Sequence, residues 1–88
     1  MALNVSVVSA HSEIWSGEAS QVIAKTTEGE IGILGGHEPL LALLASGEVR
    51  VTTAGGEKIK VDAEDGFLSV DHDTVTIVAG KAALVQAQ

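Results

Sequence analysis

The sequence predicts an all-β sandwich or barrel, on three observations. Apolar and polar residues alternate with a period of two along several short runs. Glycines punctuate the chain at intervals of roughly eight to twelve residues. The apolar positions are held by Val, Ile, Leu and Ala, with aromatics at only 2%. A period of two gives each run one buried and one solvated face, and β-branched side chains suit a pleated, half-buried surface.

Taken in order, Leu3-Asn4-Val5-Ser6-Val7 is the first strand. The stretch Pro39-Leu40-Leu41-Ala42-Leu43-Leu44-Ala45 departs from the pattern. Pro39 suits the first position of a short helix, and an unbroken apolar run also suits a buried strand. An extended or single-turn segment is the favoured reading, because Gly36 and Gly47 leave little length for a helix. Val49-Arg50-Val51-Thr52 alternates cleanly, as do Lys58-Ile59-Lys60-Val61, Leu68-Ser69-Val70-Asp71 and Thr74-Val75-Thr76-Ile77. Ala54-Gly55-Gly56-Glu57 and Asp71-His72-Asp73-Thr74 are tight hairpin connections. Gly17, Gly29, Gly47, Gly66 and Gly80 are expected between strands. The end, Lys81-Ala82-Ala83-Leu84-Val85-Gln86-Ala87-Gln88, suits either a helix start or a fraying last strand.

The chain of 88 residues and 9.0 kDa allows one domain, 1–88. Surface scaling predicts about 4,900 Å² exposed after folding and about 60% of the unfolded surface buried. A hydrophobic content of 45% sets the chain apart from disordered acidic sequences. The net charge of −7, with five Lys and Arg residues, excludes a nucleic-acid footprint and disfavours anionic lipid. Absence of cysteine removes disulfides, thiolate catalysis and zinc-thiolate sites. The start lacks a basic signal-peptide region, and the longest apolar run is far short of the ~20 residues that span a bilayer. Direct membrane insertion is therefore not expected.

Chemistry-bearing patterns fail one by one. Gly80-Lys81 is followed by Ala82, not Ser or Thr, so no phosphate loop forms. Gly29, Gly32, Gly35 and Gly36 precede no long helix, which argues against dinucleotide binding. Asp71-His72-Asp73 reads as a turn, where Asp bonds its own backbone, rather than as a metal site. Asp62-Ala63-Glu64-Asp65-Gly66 places Gly66 at a ligand position of a calcium loop and Asp73 where the bidentate Glu belongs. His11, His37 and His72 lie in separate segments, away from any local Ser-His signature. No catalytic residue, cofactor or metal is assigned, and the residues alone point to a non-enzymatic interaction module.

One region is more specific. Gly29-Glu30-Ile31-Gly32-Ile33-Leu34-Gly35-Gly36-His37-Glu38-Pro39-Leu40-Leu41 is followed by Gly47-Glu48-Val49-Arg50-Val51. This order and spacing resemble the epsilon subunit of bacterial F-type ATP synthases, called delta in mitochondria. Ile14-Trp15-Ser16-Gly17 and Gly66-Phe67-Leu68-Ser69-Val70 resemble two further motifs of that family, so the likeness spans essentially the whole chain. Gly35-Gly36 stands where the family often has Pro-Gly. The family usually continues into a two-helix C-terminal domain associated with ATP sensing and inhibition of hydrolysis. This chain ends before it, so inhibition is not carried over.

The resemblance implies a sandwich of about ten short, mostly antiparallel strands in two sheets. It implies a non-catalytic central-stalk subunit that binds gamma and the c-ring and helps couple proton flow to ATP synthesis. Such a subunit is peripheral, on the cytoplasmic face of the bacterial cell membrane. By position in the family's pattern, Glu30 approaches the c-ring loops, Glu28 assists, and His37 either touches the ring or holds the Gly35-Gly36 turn. An acidic docking edge complements the basic and polar loops that family rings carry. Candidates for the gamma-facing surface are Val8, Leu40, Leu41, Leu43 and Leu44. Pro39 is expected to fix the loop exit, and Arg50 to pair with a carboxylate on a neighbouring strand. The competing reading is a generic small β-sandwich adaptor unrelated to ATP synthase.

Overall fold

The computed structural model describes residues 2–9, 12–36, 38–45 and 47–85. Seven strands run β1 (Leu3–Ser9), β2 (Glu13–Thr26), β3 (Gly29–Leu34), β4 (Leu40–Leu43), β5 (Gly47–Thr53), β6 (Lys58–Asp71) and β7 (Thr74–Val85). They follow the order β1-β7-β6-β5-β2-β3, with β4 on β6 and a further β1–β2 pairing that closes the circuit. β1 and β7 are parallel, and the other strand pairs are antiparallel.

Three strands of 14, 14 and 12 residues, namely β2, β6 and β7, are shared between two layers. Layer one holds β3, the second half of β2, β5, the first half of β6 and the second half of β7. Layer two holds the first half of β2, β1, the first half of β7, the second half of β6 and β4. The expected sandwich is therefore present. Its ten strand segments come from seven strands in one continuous hydrogen-bonded sheet, rather than from ten separate short strands in two sheets.

The glycines explain the difference. Gly17, Gly66 and Gly80 lie inside strands, not between them. Lys58–Val61 and Leu68–Asp71 are the two ends of β6. At Gly66 the backbones of β6 and β7 approach so closely that an added Cβ would sit 1.7 Å from the Val78 carbonyl oxygen. Glycine within a strand marks such an approach or bend more often than a break. Asp65, at φ 56°, precedes it and turns the strand from one layer to the other. β2 bends at a bulge between Ala19 and Gln21. At Gly17 the space a side chain would take belongs to the Trp15 ring, 3.0 Å away, and that indole packs against the core.

Leu3, Val5 and Val7 of β1 enter the core with Val22, Ile33, Val49, Val51, Val61, Leu68, Val70, Val75 and Ile77. Each such side chain contributes about 1.5–3 kcal/mol by leaving water. The folded chain exposes 5013 Å², close to the expectation from its mass. Both predicted hairpins are present. Thr53 anchors the first, donating N–H to Glu57 O at 2.8 Å while its hydroxyl accepts from Glu57 N at 3.1 Å. In the second, His72 and Asp73 both take positive φ, 48° and 62°, as the tightest hairpin turns require. Leu40–Leu43 is extended, and the last strand continues through Lys81–Val85. The expectations placed on Gln86, Ala87 and Gln88 lie outside the described residues.

Candidate docking surfaces

The β2–β3 turn carries Glu28, and the start of β3 carries Glu30. Thr26 ends β2 with its side chain buried, donating Oγ1–H to Gly29 O at 2.7 Å and accepting from Glu28 N at 3.2 Å. Thr27 N donates to Leu43 O, and Ala45 N to Lys25 O, both at 3.0 Å, which straps the turn to the end of β4. Glu30 lies on β3, at the edge of layer one, opposite Lys25. Glu28 sits in the turn itself, two residues before Glu30. Both side chains are exposed.

His37 lies outside the described residues. Gly35 and Gly36 before it are at the far end of β3, about 20 Å from the Glu28 turn at the rise of a strand. There Gly36, at φ 82°, donates its N–H to Asp73 Oδ1 at 2.7 Å. Asp73 thus clamps the β3–β4 loop to the β6–β7 hairpin, and its O accepts from Asn4 N at 2.8 Å. The structure groups Glu28 with Glu30 and separates both from the loop that leads to His37. Nothing in the sequence near Asp73 signalled this clamp, because the partners are 37 residues apart.

The outer faces of the two layers differ sharply. Register puts Val8 beside Val78, Val78 beside Phe67, and Phe67 beside Leu43 on layer two, with Leu41 in the adjoining row. Leu41 is 72% exposed, Leu43 64% and Phe67 39%. Leu44 is buried and Leu40 half-buried, so of the apolar candidates Val8, Leu41 and Leu43 face outward. The rest of this face is chiefly Asn, Ser and Thr.

Layer one carries Lys25, Arg50, Lys58, Lys60 and Lys81 on its outer face, which are all the cations of the chain. Arg50 Nε donates to Glu48 Oε1 at 2.6 Å. This partner is two residues away on the same strand, not on a neighbouring one, because side chains at i and i+2 share a face. The hydrogen bond from Arg50 holds the Glu48 carboxyl below its ordinary value, with help from Lys60, and raises that of Arg50. A shallow groove of about 140 Å³ is lined by Gln21, Ile23, Arg50, Thr52, Lys58, Ile59 and Lys60. Asp71 and His72 approach at 3.4 Å in the exposed hairpin. Among the described residues, no three His, Cys, Asp or Glu side chains converge as metal ligands.

A closed aliphatic sandwich with contrasting outer faces, whose grouped carboxylates sit on a surface turn, has the make-up of an assembly module. The chain belongs to the family of ATP synthase delta/epsilon chain β-sandwich domains, whose model matches residues 2–85. It is 54% identical over 85 residues to the ATP synthase epsilon chain of Micrococcus luteus, covering 97% of this chain and 93% of that one. It is 49% identical to the epsilon chain of Frankia casuarinae, over 96% and 99% of the two lengths. With that of Rhodococcus jostii the identity is 48%, over 96% and 70%. A chain of the Euglena gracilis mitochondrial ATP synthase, in a structure of its OSCP, F1 and c-ring, superposes with a TM-score of 0.88 at 27% identity. The match covers 94% of this chain and 53% of that one. A chain of the Tetrahymena thermophila central stalk and c-ring shares the fold, with a TM-score of 0.73 at 17% identity. These relationships leave no place for an unrelated adaptor.

Proposed function

We infer that the chain is a non-catalytic central-stalk subunit of a proton-translocating F-type ATP synthase, held between gamma and the c-ring. The observation that carries this is its 54% identity to an ATP synthase epsilon chain along nearly its full length. It works by contact rather than by chemistry, passing rotation between proton flow and ATP synthesis. As part of the membrane-bound enzyme it is peripheral, and in a bacterium it stands on the cytoplasmic side.

The outer face of layer two is the surface for gamma. Leu43, Phe67, Val78 and Val8 form a row of apolar side chains, with Leu41 beside it, that a solvated surface would not favour. The turn with Glu28 and Glu30 is the surface for the c-ring, where exposed carboxylates meet basic or polar loops. His37 is proposed for the same partner on the family's pattern of residues.

The experiment is to purify ATP synthase through an affinity tag on this chain. Gamma and the c-ring should be retained in stoichiometric amount. Recovery of the chain without either would overturn the proposal.

A further inference from the structure

On the outer face of layer one Lys25 faces Glu30 and Glu64 faces Lys81, but across β5 and β6 like charges stand opposite one another. Arg50 faces Lys60 across β5 and β6, and in the next row Glu48 faces Asp62. Like charges directly opposite on neighbouring strands destabilise a sheet, whereas unlike charges stabilise it. Exchanging Lys60 with Asp62 would convert both rows into cross-strand ion pairs, so strand pairing alone does not call for the present order. Glu48 reaches back along its own strand to Arg50. Among the described residues, Lys58 and Lys60 have no carboxylate within ion-pair distance. The three cations border the groove of about 140 Å³. Sites for drug-sized ligands run to about 300–1,000 Å³, so the groove suits one or two carboxyl groups better than a nucleotide.

We infer that this groove docks an acidic segment of a protein partner, whose Asp or Glu carboxylates seat between Arg50, Lys58 and Lys60. Arg50 offers a planar fork to a carboxylate and the lysines act as mobile point charges. A broad anionic surface such as a membrane is disfavoured, because Glu30, Glu48, Asp62 and Glu64 share this face with the cations and the chain carries a net charge of −7. A narrow acidic segment meets the groove without spanning those carboxylates. The inference rests on the reading of the chain as a subunit of an assembled rotor.

ATP synthase purified with this chain provides the test. Lysines are acetylated in the assembly and in the isolated chain, and a parallel sample is treated with a carbodiimide, which joins amines to carboxylates in direct contact. Acetylation of Lys58 and Lys60 should be at least about fivefold slower in the assembly, and one of them should be coupled to an Asp or Glu of another subunit. Lys58→Glu/Lys60→Glu should abolish that coupled product. Acetylation at the isolated-chain rate would overturn the inference. So would protection without coupling, which would mean an occupant that is not acidic protein. Failure of the chain to co-purify with gamma and the ring counts against the rotor reading itself, and is seen before any lysine is modified.

Discussion

The two outer faces of the sandwich arise from the same alternating strands, yet one holds every cation and the other none. Inward positions are alike in both layers, filled with Val, Ile, Leu and Ala. Outward positions are not constrained by the core, and their divergence reports what each face meets. Layer two places Leu41 and Leu43 outward, although Ser or Thr there would serve the fold equally well. Layer one places like charges in two rows, Arg50 with Lys60 and Glu48 with Asp62, that a free-standing sheet would do better to mix. The difference teaches that in this chain the period of two encodes the fold, and departures from solvated chemistry on the outward parity encode its contacts.

The largest effect is expected where both faces depend on one point. Gly66→Ala puts a Cβ within 1.7 Å of the Val78 oxygen and 2.6 Å of the Ala79 Cα, so the backbone must shift. A loss of about 3 kcal/mol is expected in urea unfolding, with probes on both layers lost together. Next is Leu43→Glu, which charges the apolar row without entering the core. Binding to gamma should fall about tenfold, a change of about 1.4 kcal/mol, while stability stays within about 0.5 kcal/mol. Lys81→Glu, on the opposite face and outside the groove, should leave gamma affinity unchanged, and an equal loss would erase the contrast between the faces.

Glu30→Lys should weaken binding to the c-ring roughly two- to fivefold at low ionic strength, since an exposed rim pair contributes little. The difference should fade as salt is raised, because the screening length is about 10 Å at 0.1 M. Equal binding at all salt concentrations would reduce Glu30 to a solvated strand residue. The smallest effect belongs to Glu48→Gln. Arg50 lowers the folded-state value of the Glu48 carboxyl from its ordinary 4.5. Its contribution is therefore present above that ordinary value and is lost as pH falls through the lowered one. The small stability difference between wild type and variant should be seen at pH 7 and disappear in acid. A difference that persists at low pH would assign it to packing instead.

Much of the fold was legible in the sequence because alternation is local. Leu3–Val7, Val49–Thr52 and the hairpins at Gly55-Gly56 and His72-Asp73 announce themselves within a few residues. What was hidden depends on neighbours distant along the chain. Gly66 looks like a turn until Val78 is placed against it, and Trp15-Ser16-Gly17 looks like a turn until the indole is seen filling the glycine's space. Arg50 had a carboxylate within its own strand that the search for a cross-strand partner overlooked. Of the site, the Glu28 and Glu30 turn was readable through the family's pattern of residues. The clamp from Asp73 to Gly36 was not, since neither residue's chemistry names its partner.

The sharing of β2, β6 and β7 between the layers has a mechanical consequence. In a sandwich made of separate sheets, a tangential load on one face reaches the other through side-chain packing, which can slip. Here the covalent chain itself turns the corner three times. A twist applied between the apolar face and the charged face is carried along peptide bonds and their hydrogen-bonded ladders. The two halves are thereby joined by main chain at three places, so a load on one layer reaches the other through backbone as well as through side-chain packing.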